Sequence, residues 1–152
     1  MALYNSVSKV SDTHTLQEFM SFSNSTPDKF DYKSFCMIER RDGVEYPIHN
    51  VIDDYLDELK AAALSITLTS KEKDTYMYNP KLLSYKIYGT TLWYYVILRL
   101  NNICNVHDFN ISKGKLLLIP SGKLKDILAT IYNSNSSSIN TYNTNHANDI
   151  KL

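Results

Sequence analysis

The stretch that decides the fold is YNPKLLSYKIYGTTLWYYVILRLNNI, residues 78–103. Within it, Asn79 is a favourable N-cap, Pro80 suits the first helical position, and Gly89 suits the position that follows a helix. Leucine, isoleucine and tyrosine occupy the apolar positions between Pro80 and Gly89. These signals predict a helix of about nine residues that ends before Gly89.

A second helix is predicted over residues 92–101, capped by Thr90 or Thr91. Its sequence is LWYYVILRLN, in which Arg99 is the charged residue. A helix that is apolar on nearly every face has to be buried on all sides. We therefore expect another polypeptide to cover one side of it. We also expect the chain alone to expose a larger apolar patch there than monomers tolerate.

Strands are predicted on both sides of these two helices. Residues 75–78 (TYMY) favour a strand because aromatic and β-branched side chains are common in strands. Residues 116–119 (LLLI) form an apolar run between a turn at Gly114 and Pro120, as expected of a buried strand. The order strand, helix, helix, strand predicts a small α+β module over residues 74–120.

An amphipathic helix is predicted just before this module. Apolar side chains recur at helical spacing from Ile52 to Ala63. Acidic side chains crowd its first turns: Asp53, Asp54, Asp57 and Glu58. Negative charge suits the start of a helix, so we interpret this cluster as a solvated face rather than as a catalytic or metal-binding pair. Residues 65–69 (SITLT) fit either a short strand or an extended linker.

The predicted organisation has three parts. Residues 1–50 form an extended arm, with at most one short helix near residues 16–22 and room for a hairpin around Asp42-Gly43. Residues 51–132 form the core, which ends in a short helix over residues 124–132. Residues 133–152 are rich in Asn and Ser and form a tail that is disordered on its own.

Composition argues against several functions. Sixteen basic and sixteen acidic side chains give a formal net charge of zero, which removes the electrostatic case for nucleic acid or a membrane as partner. The sequence has no glycine-rich phosphate-binding motif and no apolar run of membrane-spanning length. Its four histidines do not show metal-ligand spacing. We therefore expect no enzymatic activity, no cofactor and no metal.

The punctuated stretch resembles LysM domains. YGTTLWYYVILRLNNI, residues 88–103, is similar to the second LysM helix and the Asn that follows it. ISKGKLLLIPS, residues 111–121, is similar to the closing LysM strand. More narrowly, the chain resembles the baseplate wedge proteins of contractile-tailed phages. That similarity is carried by Tyr78, Pro80, Leu82, Ser84, Tyr85, Tyr88-Gly89-Thr90-Thr91 and Trp93, and it extends roughly over residues 51–132.

This resemblance implies a structural subunit of a phage tail baseplate, of the wedge type. It implies other tail and baseplate subunits as partners, several copies in a sixfold assembly, and a location in the virion after assembly in the host cytoplasm. The implied fold is α+β. It consists of a small LysM-like βααβ module preceded by an amphipathic helix, with an extended N-terminal arm and a C-terminal helix plus tail.

The alternative that a LysM resemblance implies is a peptidoglycan-binding module used in attachment to the host cell wall or in its penetration. Glycan-binding LysM domains carry a Gly-Asp-Thr turn that forms part of the sugar groove. Residues 76–82 (YMYNPKL) lack that turn, which favours the structural role.

The residues predicted to contact a partner lie on the two helices: Trp93, Tyr94, Tyr95, Arg99, Tyr85 and Tyr88. Aromatic and arginine side chains dominate the binding energy of protein interfaces. Trp93 can also stack on a sugar or fill the core. Arg99 requires a carboxylate or a carbonyl, and we expect it to pair across a subunit contact or to cap a local carbonyl.

Overall fold

The computed structural model describes residues 13–22 and 34–148. This part of the chain contains a three-stranded sheet and a two-stranded hairpin. In chain order the strands and α-helices are β1 (Thr13–Thr15), α1 (Leu16–Phe22), β2 (Cys36–Arg41), β3 (Val44–Asn50), α2 (Leu56–Ala62), β4 (Leu64–Thr67), α3 (Ser70–Tyr76), α4 (Pro80–Tyr88), α5 (Tyr94–Leu100), β5 (Lys115–Leu118) and α6 (Ser121–Asn145). Short 3-10 helices precede α2 (Val51–Tyr55) and β5 (Val106–Asp108). The sheet has the order β1–β4–β5, with β1 parallel and β5 antiparallel to β4. This mixture confirms the predicted α+β class.

The first helix of the central stretch, α4, begins and ends where its sequence predicts. The Asn79 side chain accepts a hydrogen bond from Leu82 N at 3.2 Å, and Pro80 is the first helical residue. Gly89 has a φ of 75°, a left-handed conformation that glycine adopts without steric cost. The next helix, α5, begins at Tyr94 rather than at residue 92, because Leu92 and Trp93 form a turn.

The predicted strand over residues 75–78 is wrong, because Thr75 and Tyr76 form the end of a well-capped helix, α3, and Met77 and Tyr78 form the turn after it. Glu72 N donates to Thr69 Oγ1 at 3.2 Å, and Thr69 N donates to Glu72 Oε1 at 2.8 Å. This capping box starts the helix before the aromatic residues are reached. The strand that pairs with β5 is β4, in which Ile66 lies opposite Leu116.

The short helix and the hairpin predicted in the N-terminal region are present, but β1 and α1 join the sheet and the core instead of forming an arm. The strands β2 and β3 form an antiparallel hairpin, and Asp42 and Gly43 both have positive φ in its turn. That turn conformation matches the twist of a hairpin. The short helix near residues 16–22 is α1, which buries Leu16 and Phe19. The extended conformation predicted for residues 1–12 and 23–33 lies outside the described residues.

The final helix, α6, is 25 residues long and continues through Asn145, so the predicted helix end at residue 132 is wrong. Contacts with the rest of the chain explain why the polar segment is helical. Ile139 is buried, and Asn135 donates to the Tyr55 hydroxyl at 3.0 Å. Asn143 accepts from Ile38 N at 2.8 Å and donates to Cys36 O at 3.1 Å. Its amide thereby pairs with the edge of β2 as a neighbouring strand would. Residues 149–152 lie outside the described part.

One cluster of buried apolar side chains joins the sheet, the hairpin and the helices. From α5 it takes Val96, Ile97, Leu98 and Leu100. The chain itself therefore covers this helix, and the expected large exposed apolar patch on it is wrong. Within the described ranges, no helix combines the length and apolar character needed to cross a membrane.

Candidate functional site

The six predicted contact residues separate into a buried group and an accessible group. Trp93 and Tyr88 are each 1% exposed. Tyr94, Tyr95 and Arg99 are half-buried, and Tyr85 is 60% exposed. The interface role predicted for Trp93 and Tyr88 is therefore corrected to a role in the core.

Contacts of the two buried aromatics explain their position. The Tyr88 hydroxyl donates to Ile119 O at 2.7 Å and so joins α4 to the segment after β5. Burial raises the pKa of this hydroxyl above its ordinary value. Trp93 packs edge-on against Phe35, with ring centroids 6.1 Å apart. Since its ring lies inside the chain, Trp93 is not available to stack on a sugar.

The accessible aromatics of α5 lie in a concavity of about 440 Å³, which we call the α5 groove. Its lining includes Pro47, Lys81, Leu92, Tyr94, Tyr95 and Arg99, together with the smaller side chains of Cys36, Asn50 and Thr91. Pro47 comes from β3 and Lys81 from α4, so the groove forms only when the hairpin and the two helices meet. Three predicted residues, Tyr94, Tyr95 and Arg99, are brought together here. Tyr85 is not among the residues that line the groove.

Two basic side chains give the groove its charge. Lys81 Nζ lies 5.0 Å from the centre of the Tyr94 ring, a cation–π contact. Arg99 Nε donates to Asp53 Oδ1 at 3.3 Å. Within the chain, the partner of Arg99 is therefore a carboxylate rather than a carbonyl, and a pairing of Arg99 across a subunit contact stays a prediction. Among the described residues that line the groove, Lys81 and Arg99 are the charged ones.

Tyr95 forms part of the groove wall and holds a hydroxyl that is shielded from water. Within the described part of the chain this hydroxyl makes no hydrogen bond of ordinary geometry. Burial raises its pKa, and the nearby Asn50 side chain partly opposes that rise. The wall therefore contains a buried hydroxyl whose polar neighbour is the Asn50 side chain.

The acidic cluster beside α2 is exposed at all four residues, Asp53, Asp54, Asp57 and Glu58. This exposure agrees with its interpretation as a solvated face. Asp54 Oδ2 lies 2.9 Å from His49 Nε2. Over residues 13–22 and 34–148, no group of three or more His, Cys, Asp or Glu side chains is arranged to hold a metal ion. The groove is the better candidate site, and its apolar, aromatic and basic side chains suit non-covalent binding.

A second exposed apolar surface was missed by the sequence analysis. Val44, Tyr46 and Ile48 alternate along β3 and are 51%, 43% and 47% exposed. Arg41 lies over the Tyr46 ring at 5.3 Å. The period-two spacing of these side chains is visible in the sequence and could have indicated one outward-facing strip.

Comparison with known proteins identifies no relative of this chain. No family model matches it, and neither a curated protein nor a solved structure does. The resemblance to baseplate wedge proteins therefore stays a prediction that depends on the residues of the central stretch. The geometry of the groove is an independent observation, which bears on whether the chain binds a partner.

Proposed function

We propose that this chain is a structural, non-enzymatic subunit of a bacteriophage tail baseplate, of the wedge type, and that it acts through protein–protein contacts. The observation that carries the proposal is the α5 groove. It presents aromatic, leucine and arginine side chains in one concavity. Tyrosine and arginine are enriched at interfaces because they combine a large contact area with directed polar groups. Thr91, one of the residues that carry the resemblance to wedge proteins, lines this groove, and several others lie on α4.

The finer fold also belongs to this proposal. We propose that β4, α4, α5 and β5 form a LysM-like βααβ unit, with α3 inserted after its first strand. Antiparallel pairing of β4 with β5, and packing of α4 against α5, are what such a unit requires. Compared with the expectation from sequence, the unit begins at Leu64 rather than at residue 74.

The positions of two aromatic side chains support a structural role over glycan binding. Trp93, the residue best suited to stack on a sugar, is buried. Tyr94 is half-buried, and one face of its ring is occupied by Lys81. Sugar recognition by stacking needs an open aromatic face, and these two rings do not present one freely.

Localisation of the chain in tailed particles tests the proposal. An antibody against the chain is applied to tails made by the genome that encodes it, and gold particles are located by electron microscopy. We expect label at the distal, baseplate end of the tail. Absence of the chain from purified particles contradicts the proposal. So does saturable binding of the chain to purified peptidoglycan that is lost in Tyr94→Ala. Tyr94 rather than Trp93 is substituted, because a change at the buried Trp93 destabilises the core.

A further inference from the structure

We infer that the α5 groove receives a segment of another protein that carries an apolar side chain next to a carboxylate. The apolar side chain packs against Leu92, Tyr94 and Pro47, and the carboxylate pairs with Lys81 and Arg99. This inference names the chemistry of the partner and rests on the proposed function only in taking that partner to be a protein.

The charge of the groove favours an acidic partner. Lys81 and Arg99 are the charged residues among those that line the groove, and Asp53 offsets part of the Arg99 charge, so the remaining charge at the groove is the positive charge of Lys81. Arg99 uses Nε to bind Asp53, and a guanidinium has further donors in a fixed fork that suits a carboxylate. The groove therefore favours an acidic occupant over a neutral or basic one.

The position of Lys81 also supports a partner at the groove. It is the second residue of α4, and the first turn of that helix contains no acidic residue. A positive charge at the start of a helix opposes the helix dipole, so this lysine does not serve the stability of α4. Its contact with the Tyr94 ring holds the charge at the groove instead.

The shape and surroundings of the groove favour a segment of another protein over a second copy of this chain. The exposed apolar strip of β3 is the feature that a second copy offers most readily. Two of the three carboxylates of that hairpin are already paired, Glu39 with Arg41 at 2.6 Å and Glu45 with Arg40 at 3.5 Å, and the third, Asp42, lies in the turn at the end of the strip. A second copy that docked through the middle of this strip would thus bring ion pairs of zero net charge rather than free carboxylates to Lys81 and Arg99.

Selection from a library of random decapeptides tests the inference with the full chain. Peptides are selected on the wild-type chain and depleted on a Lys81→Glu, Leu92→Ser double variant. We expect enriched peptides to contain Asp or Glu beside an apolar residue. We expect Lys81→Glu to weaken their binding by about tenfold or more, as for the loss of a shielded charge pair. Raising the salt concentration should weaken the same peptides.

Matched controls separate the groove from general effects on charge and hydrophobicity. Lys86→Glu makes the same charge change on α4 away from the groove, and Leu82→Ser removes a leucine of similar exposure on that helix. Both should leave peptide binding within about twofold of wild type, well inside the tenfold criterion. Thermal unfolding of each variant shows whether a loss of binding comes from a loss of fold.

Several outcomes overturn the inference. They are a selection without acidic enrichment, no enrichment at all, equal effects of Lys81→Glu and Lys86→Glu, and self-association of the chain that Leu92→Ser abolishes. Displacement of the selected peptides by soluble peptidoglycan fragments also overturns it. If the chain is present in tails but acidic peptides do not bind, the groove inference fails alone. If acidic peptides bind but the chain is absent from tails, the proposed function fails alone.

Discussion

In α5, four of seven residues are buried apolar side chains, whereas in the second half of α6, residues 133–145, the fully buried one is Ile139. The polar half of α6 consists mainly of Asn, Ser and Thr, which favour a helix less than Ala does by roughly 0.5 kcal/mol each. Directed hydrogen bonds from Asn135 and Asn143 to other elements accompany the burial of Ile139. One helix is held by apolar packing and the other by a few specific polar contacts.

The difference shows why composition alone is a poor guide to what covers a helix. An apolar helix can be enclosed by its own chain, as α5 is by the common core. A polar segment can be ordered when a few side chains meet partners elsewhere in the fold, because tertiary contacts routinely override weak local propensity. The part of α5 that stays accessible is its edge at the groove, and this edge is where we place the partner.

Substitution in the packed helix should have the largest effect. Ile97 is fully buried in α5, so Ile97→Ala should lower the free energy of unfolding by about 2–5 kcal/mol through lost burial and a residual cavity. Chemical denaturation measures the change. Leu92→Ala, at a site 38% exposed, is the control and should cost less than about 1 kcal/mol. Equal effects at the two sites would mean that the chain does not enclose α5 as described.

Local signals in the sequence were sufficient for elements whose limits depend on neighbouring residues. Asn79, Pro80 and Gly89 specify α4, and Asp42-Gly43 specifies the hairpin turn. The extension of α6 was missed because it depends on Asn143 reaching β2, a contact between residues far apart in sequence. The groove also depends on residues far apart in sequence. No residue near Pro47 or Lys81 in the chain indicates that the two line one concavity.

The polar helix should respond most at Asn143. Asn143→Ala removes the hydrogen bonds that join α6 to Ile38 N and Cys36 O, which should cost about 2 kcal/mol. It should also increase amide exchange over residues 133–145. Asn140→Ala, at an exposed position of the same helix, should instead stabilise by a few tenths of a kcal/mol, roughly the gain in helix propensity. Effects of the same sign at both positions would show that the contacts with β2 do not hold this segment.

Tyr88 makes a hydrogen bond inside the apolar core. Its substitution therefore measures what a polar contact contributes to stability where apolar packing dominates. Tyr88→Phe should cost about 1 kcal/mol at neutral pH, because Ile119 O loses its donor. The pKa of Tyr88 is raised in the folded chain above its ordinary value of 10.0. Its contribution to stability is therefore present below pH 10.0 and lost as pH rises above that value, where the unfolded tyrosine ionises.

An alkaline titration of unfolding checks this sign. The wild-type chain should lose stability above pH 10.0 more steeply than Tyr88→Phe does. Tyr95, whose pKa burial also raises, should leave part of the loss in the variant. Identical slopes for the two proteins would contradict the buried hydroxyl at Tyr88.

The accessible edge of α5 should matter least for folding. Lys81→Glu exchanges a cation–π contact for a favourable charge at the start of α4, so its unfolding free energy should stay within about 0.5 kcal/mol of wild type. Lys86→Glu places a negative charge in the last turn of α4 and should destabilise by about 0.5 kcal/mol. Thermal unfolding of both variants tests which substitution destabilises the chain more. If Lys81→Glu is the more damaging of the two, Lys81 has a role in folding that we do not assign to it.

The most direct test of the central claim is the amount of this chain in purified tails when the encoding genome carries wild type, Lys81→Glu or Lys86→Glu. Quantitative mass spectrometry measures the chain relative to the major tail protein. We predict that wild type and Lys86→Glu are incorporated equally, and that Lys81→Glu is depleted by about tenfold, as for the loss of a shielded charge pair. Absence of the wild-type chain from tails, or equal incorporation of all three proteins, would contradict a baseplate subunit that engages its neighbour through the α5 groove.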